Sequence, residues 1–86
     1  MKRSETEVRL RNMKWWYPEG FDVHRYGKCD VCRHYSGRGL GEITNGYGDD
    51  QIDQRGRQVW ATLCPECWCK WKRMNREHLV AWELMK

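Results

Sequence analysis

Apolar and polar positions divide this chain into a clear C-terminal half and a less regular N-terminal one. From position 65 onward the spacing predicts one helix, Pro65 to about Met85. At 100° per residue, Cys64, Cys67, Trp71, His78, Trp82 and Met85 share a face, with Trp68 and Leu79 at its edge. Cys64 stands where an N-cap would, and Pro65 suits the first helical position. Just before it, Val59, Ala61 and Leu63 alternate with Trp60 and Thr62, the pattern of a half-buried strand. Further upstream, Asn45-Gly46 signals a two-residue hairpin, with short strands expected at Glu42–Thr44 and Tyr47–Gly48. Arg55-Gly56 reads as a second turn. At the N-terminus, Ser4-Glu5-Thr6-Glu7 reads as a capping box that opens a helix from about Glu5 to Trp15. Its apolar residues, taken as Val8, Met13, Trp15 and Trp16, have only loosely helical spacing. Pro18-Glu19-Gly20 should end it in a turn, leaving Tyr17 to Lys28 as a mixed aromatic and basic connector.

The cysteines change this picture most. Cys29-Asp-Val-Cys32 and Cys64-Pro-Glu-Cys67 share a two-residue gap, and 31 residues separate the pairs. A tight turn with cysteines at its ends points both sulfurs into one small volume. Two such turns make the tetrahedral four-thiolate cage that zinc prefers. Four unrelated thiols or two disulfides are the alternatives. The chain has five cysteines, an odd number that full disulfide pairing would not allow. Cys69 falls about 160° around the helix from Cys67 and reads as a spare thiol unless it replaces Cys67 in a less regular turn. His24, His34 and His78 supply no coherent second ligand set, so one structural zinc is expected.

The order is a cysteine knuckle, a hairpin, a strand, and a second knuckle on the first turn of a helix. Over residues 27–85 it resembles the treble-clef zinc-finger class. The resemblance assigns Cys29 and Cys32 to the N-terminal knuckle, and Cys64 and Cys67 to the helix. It implies a small zinc-stabilised α+β domain with an extra N-terminal helix. It implies little about activity, since the class serves many functions. Many such knuckles carry glycine after the second cysteine, where this chain has Arg33 and Trp68. A zinc ribbon would need strands on both sides of the second pair, which Pro65 and the helical pattern oppose. The eight-ligand rhythm of a RING cross-brace is absent. So is a strand-borne histidine for a His-Asn-His nuclease, because no histidine lies between Tyr35 and Glu77.

Length and charge narrow the function. At 86 residues the chain is one small unit, which a structural zinc would help to stabilise. Residues 1–27 read as an N-terminal helix and connector, and residues 28–86 as the metal-binding part. No apolar run approaches a membrane span, and the charged start is unlike a signal segment. A cytoplasmic, reducing setting is therefore expected. The net charge is +4, distributed as +3 over residues 1–28, −1 over 29–63 and +2 over 64–86. Zinc held by four thiolates adds a site charge of about −2. Asp49-Asp50 with Asp53 reads as a solvated acidic turn.

No nucleophile with its base, no readable carboxylate pair and no phosphate loop stands in the sequence, so the expected function is binding rather than catalysis. No small-molecule substrate or membrane is expected. The expected target is nucleic acid or a protein complex that works on it, as for a transcription regulator. The alternative is a protein-interaction module without nucleic-acid contact. Candidate contacts are Arg9, Arg11, Lys14, Trp15, Trp16, Tyr17, Arg25 and Lys28, with Lys72, Arg73 and Arg76 from the C-terminal helix. Six tryptophans are many for this length, and adjacent Trp15 and Trp16 cannot both be buried by one helical face. An exposed one would suit base stacking or a protein anchor.

Overall fold

A computed structural model describes residues 4–46 and 59–85. Among these residues are three helices and two small antiparallel sheets, an α+β arrangement. No helix among the described residues is long and apolar enough to cross a membrane.

Helix α1 spans Glu5–Asn12. The Ser4 hydroxyl accepts from the Glu7 backbone N–H at 3.2 Å, the serine half of the expected capping box. The helix ends before the expected Trp15, and Trp15 itself takes a left-handed φ of 71°. Its anchor is Leu10, 1% exposed, which the sequence reading did not single out; Val8 is 44% exposed.

The expected connector is instead two strands, β1 (Tyr17–Asp22) and β2 (Gly27–Lys28). Pro18-Glu19-Gly20 does not turn the chain. It runs through β1, whose register shifts between Pro18 and Gly20 in a bulge. An edge strand tolerates a proline, which lacks one ladder donor, and β1 is an edge. The centre of the three-stranded sheet is β4 (Leu40–Thr44), flanked by β1 and by β5 (Trp60–Leu63). Both edges of Glu42–Thr44 are thus taken, by residues other than the expected Tyr47–Gly48. Tyr47–Gly48, the Arg55-Gly56 turn and the Asp49, Asp50 and Asp53 cluster lie outside the described residues. The β4–β5 pairing continues past the strands: Asn45 N–H donates to the Val59 carbonyl at 3.1 Å, and Asn45 Oδ1 accepts from Val59 N–H at 2.9 Å. Along β5 the expected alternation holds for Ala61 and Leu63, buried, and Trp60, exposed, whereas Val59 precedes the strand and is exposed.

The single C-terminal helix is corrected to two, α2 (Pro65–Met74) and α3 (Arg76–Met85). Asn75 lies between them, 1% exposed, with non-helical dihedrals. Its Nδ2 donates to the Trp71 carbonyl at 2.9 Å, and its Oδ1 accepts from the Trp15 N–H at 3.1 Å. An asparagine amide competes with the helical backbone in this way. Here it joins the break to the turn that follows α1, beside Trp71 Nε1, which donates to the Met13 carbonyl at 3.0 Å. The common face expected along the whole helix holds through Cys64, Cys67 and Trp71, all buried. It weakens past the break, where His78, Leu79 and Trp82 are half-buried and Met85 is 86% exposed.

The core lies between α2, the inner face of the β4–β5 pair and Leu10 of α1. Two glycines, one in β4 and one just before it, are required by contact. A Cβ on Gly41 would lie 2.2 Å from the Trp68 ring, which rests directly on β4. At Gly39, φ is +108°, and a Cβ would meet the Asp22 carbonyl and the Phe21 ring at 2.8 Å each.

Candidate metal centre

The first cysteine pair is held between β2 and β3 (Tyr35–Ser36), which pair antiparallel with Lys28 opposite Tyr35. Closing that ladder forces residues 29–34 into a compact loop. Cys29 N–H donates to the His34 carbonyl at 2.9 Å, and Arg33 N–H donates to the Cys29 carbonyl at 3.0 Å. Arg33 has φ 69°, the left-handed conformation that glycine supplies more easily. The substitution noted in the sequence thus changes the residue and keeps the turn. The backbone N–H groups of Val31 and Cys32 point at Cys29 Sγ, at 3.4 and 3.5 Å.

Two residues fix this loop in place, one that the sequence did not mark and one that it marked for a different role. The Asp30 carboxylate accepts from the Thr62 N–H at 2.8 Å and from its hydroxyl at 3.0 Å, while Asp30 N–H donates to the Thr62 carbonyl at 2.8 Å. Thr62 lies two residues before Cys64, so these bonds set one cysteine pair against the other. Arg9 was expected to face a partner. Its guanidinium instead donates to the carbonyls of Val31 at 2.8 Å and Asp30 at 3.3 Å, and pairs with Glu5. A short polar residue inside the C-x-x-C gap was the available signal for Asp30; Arg9 carried none.

The second pair opens α2. Cys64 is the N-cap in extended conformation, Pro65 follows, and Trp68 N–H donates to the Cys64 carbonyl at 2.8 Å. The Cys64 side chain makes no capping bond, and the helix N-terminus is a favourable place for thiolate charge. The four Sγ atoms of Cys29, Cys32, Cys64 and Cys67 all lie within 4.8 Å of one another. Cys32 Sγ and Cys64 Sγ are 3.7 Å apart. A tetrahedron with metal–sulfur bonds of about 2.3 Å has edges of about 3.8 Å, so these sulfurs can hold one metal ion with little movement. The same 3.7 Å is far beyond a disulfide bond. Cys69 is exposed and outside the cluster, and no histidine belongs to it.

Burial governs the thiols first. It pushes Cys64 up to about 11, against hydrogen bonds with Cys67 that lower it, and raises Cys67 further, where the neighbouring thiols add to the effect. At Cys29 burial also acts upward, but the backbone N–H groups of Cys32, Cys64 and Val31 outweigh it and lower the value. One thiol is thus eased toward ionisation, while two resist it without a cation. On the rim, the hydrogen bond from Arg38 draws the exposed Glu66 carboxyl down to about 2.

The other expected contact residues are dispersed. Arg11, Lys70 and Arg73 line one depression of 490 Å³ between α1 and α2, together with Glu7. The Lys14 ammonium lies 5.0 Å from the ring centre of Trp15, which is 52% exposed. Trp16 packs against the core, and Tyr17 lies against His78 and Trp82 at 5.2 and 6.2 Å. Arg25 pairs with Glu42, and Lys28 is exposed on β2. Lys72 sits 6.0 Å from the Trp68 ring centre. Together with Arg73 and Arg76 it forms one wall of a largely apolar groove of 1060 Å³.

The chain matches no protein-family model, no curated protein and no solved structure. The class is therefore drawn from the site itself: a small α+β protein with a four-cysteine cluster, consistent with zinc.

Proposed function

We propose that this chain is a treble-clef-like zinc domain that acts by binding rather than catalysis, and that its target is nucleic acid or the protein machinery that works on it. The treble-clef reading is supported by one cysteine pair in a strand-flanked knuckle and the other on the first turn of a helix. Four sulfur donors suit a structural zinc and leave it no open position for chemistry. Cys29, Cys32, Cys64 and Cys67 would hold the ion, and Arg9 and Asp30 orient the loop that carries two of them.

The observation that carries the target is the gathering of Arg11, Lys70 and Arg73 around one depression, with Lys14 and the exposed Trp15 following at the end of α1. Basic groups beside an exposed indole suit phosphates and a stacked base. The test is fluorescence anisotropy of labelled single- and double-stranded oligonucleotides titrated with the zinc-loaded protein. Binding should weaken steeply with salt, the logarithmic slope being about −0.7 to −0.9 per phosphate contact. Changing Arg11, Lys70 and Arg73 together to alanine should cost at least about tenfold in affinity, since each phosphate contact contributes. The change Trp15→Ala tests the stacking part, with zinc content as its control, since Trp16 packs against the core. Absence of oligonucleotide binding, or binding indifferent to salt, would favour the alternative of a protein-interaction module.

A further inference from the structure

Helix α3 has two apolar sides, and the molecule covers one of them. His78 and Trp82 are half-buried against the N-terminal aromatics, with the His78 ring centre 4.9 Å from that of Trp15, and Leu79 packs against the core. The other side exposes Val80 (58%) and Leu84 (83%), and no residue of α3 is fully buried. A ten-residue helix has little stability of its own. An exposed aliphatic stripe on such a helix, continuous with the groove beside Trp68, is an interaction surface.

The charges on the stripe indicate its occupant. Arg76 and Glu83 lie in line with Val80, seven residues apart, which is two turns or about 10.5 Å. Neither has an ion-pair partner among the described residues. We propose that the exposed stripe of α3 packs against the same stripe of a second copy of this chain, the two helices antiparallel about a twofold axis. In that arrangement Arg76 of each copy meets Glu83 of the other, and the Val80 side chains meet near the axis. Leu84 of each copy is carried toward the mouth of the other's groove. A parallel pairing would set like charges against each other. The stripe is therefore complementary to itself in one orientation, as an isologous contact requires. Two short helices bury little surface, so the dimer is weak, with a dissociation constant on the order of 10–100 µM.

Sedimentation velocity of the zinc-loaded full chain tests this. The weight-average mass should rise from one chain toward two between about 5 µM and 1 mM. Leu84→Asp should keep the chain monomeric throughout. Arg76→Glu and Glu83→Arg should each weaken association by about tenfold, and the two together should restore most of it, because the ion pair is rebuilt with reversed polarity. All three positions are exposed, so zinc content and near-ultraviolet circular dichroism should stay unchanged. A wild-type protein that is monomeric across the range overturns the proposal and leaves the stripe to a different protein. A Leu84→Asp variant that associates like wild type, or a double charge reversal no better than the single ones, also overturns it. Oligonucleotide binding by the monomeric Leu84→Asp variant separates failure here from failure of the nucleic-acid reading.

Discussion

Gly41 shows how much one atom can decide in this chain. The Trp68 ring occupies the space where any other residue would carry its Cβ. Gly41→Ala must push the indole off β4 and should destabilise the fold by about 1–3 kcal/mol, the range for overpacking. A lowered urea midpoint at constant zinc content checks this; an unchanged midpoint would mean that the ring moves freely. The cysteines divide as sharply. Cys67→Ser should lose the metal and the fold together, whereas Cys69→Ser should retain both, because Cys69 is exposed and outside the cluster. Zinc content by atomic absorption on the two purified variants decides it. The four clustered cysteines were legible in the sequence because the C-x-x-C spacing itself brings the sulfurs together. Arg9 was not, since its partners are backbone carbonyls more than twenty positions away that leave no trace in residue identity.

Among the elements, those governed by local chemistry were readable. Ser4 and Glu7 open α1, Pro65 opens α2, and the alternation of Ala61 and Leu63 marks β5. Those governed by a distant partner were not. Pro18 and Gly20 look like a turn in isolation, and they form a strand because β4 offers an open edge. Asn75 looks like an ordinary helical residue, and it breaks the helix because Trp15 N–H is there to be satisfied. Asn75→Ala should therefore do two things. It removes the acceptor for a partly buried N–H, costing about 1–3 kcal/mol, and it lets α2 and α3 approach one continuous helix. Chemical denaturation reads the first effect. Heteronuclear NMR chemical shifts at residues 74–77 read the second, and non-helical shifts retained there would mean that other contacts set the break.

For the whole molecule, the four-cysteine cluster is the centre on which the core is built. Cys29, Cys64 and Cys67 pack with Trp71, Leu10 and Leu63 in one cluster, so removing the ion should loosen tryptophans and sheet together. A structural zinc site of this kind contributes about 10–16 kcal/mol of apparent binding energy, more than a small core supplies. Chelation should thus abolish the near-ultraviolet tryptophan signal; a signal that survives verified metal removal would contradict this packing. The pH dependence has a fixed sign. Cys64 and Cys67 hold their protons well above neutrality in the metal-free fold, so binding must expel at least these two. Apparent affinity should fall by about 100-fold from pH 7 to pH 6, tenfold for each proton, so metal-derived stability is present at neutral pH and lost on acidification. Without metal, these two thiols ionise more readily in the unfolded chain, and the stability they support declines above their ordinary value of 9.0. Competition with a chromophoric chelator across pH measures the first; a pH-independent affinity would mean that the thiols are already ionised.

Arg33 would give a metal held in this cluster an adjustable grip. Its left-handed backbone withholds about 1 kcal/mol from the loaded state, compared with a glycine at the same place. That corresponds to about a fivefold weaker hold on the ion. A single codon change to glycine would tighten it without altering a ligand. A chain that leaves this gain untaken sits nearer the threshold at which a competing chelator can strip it.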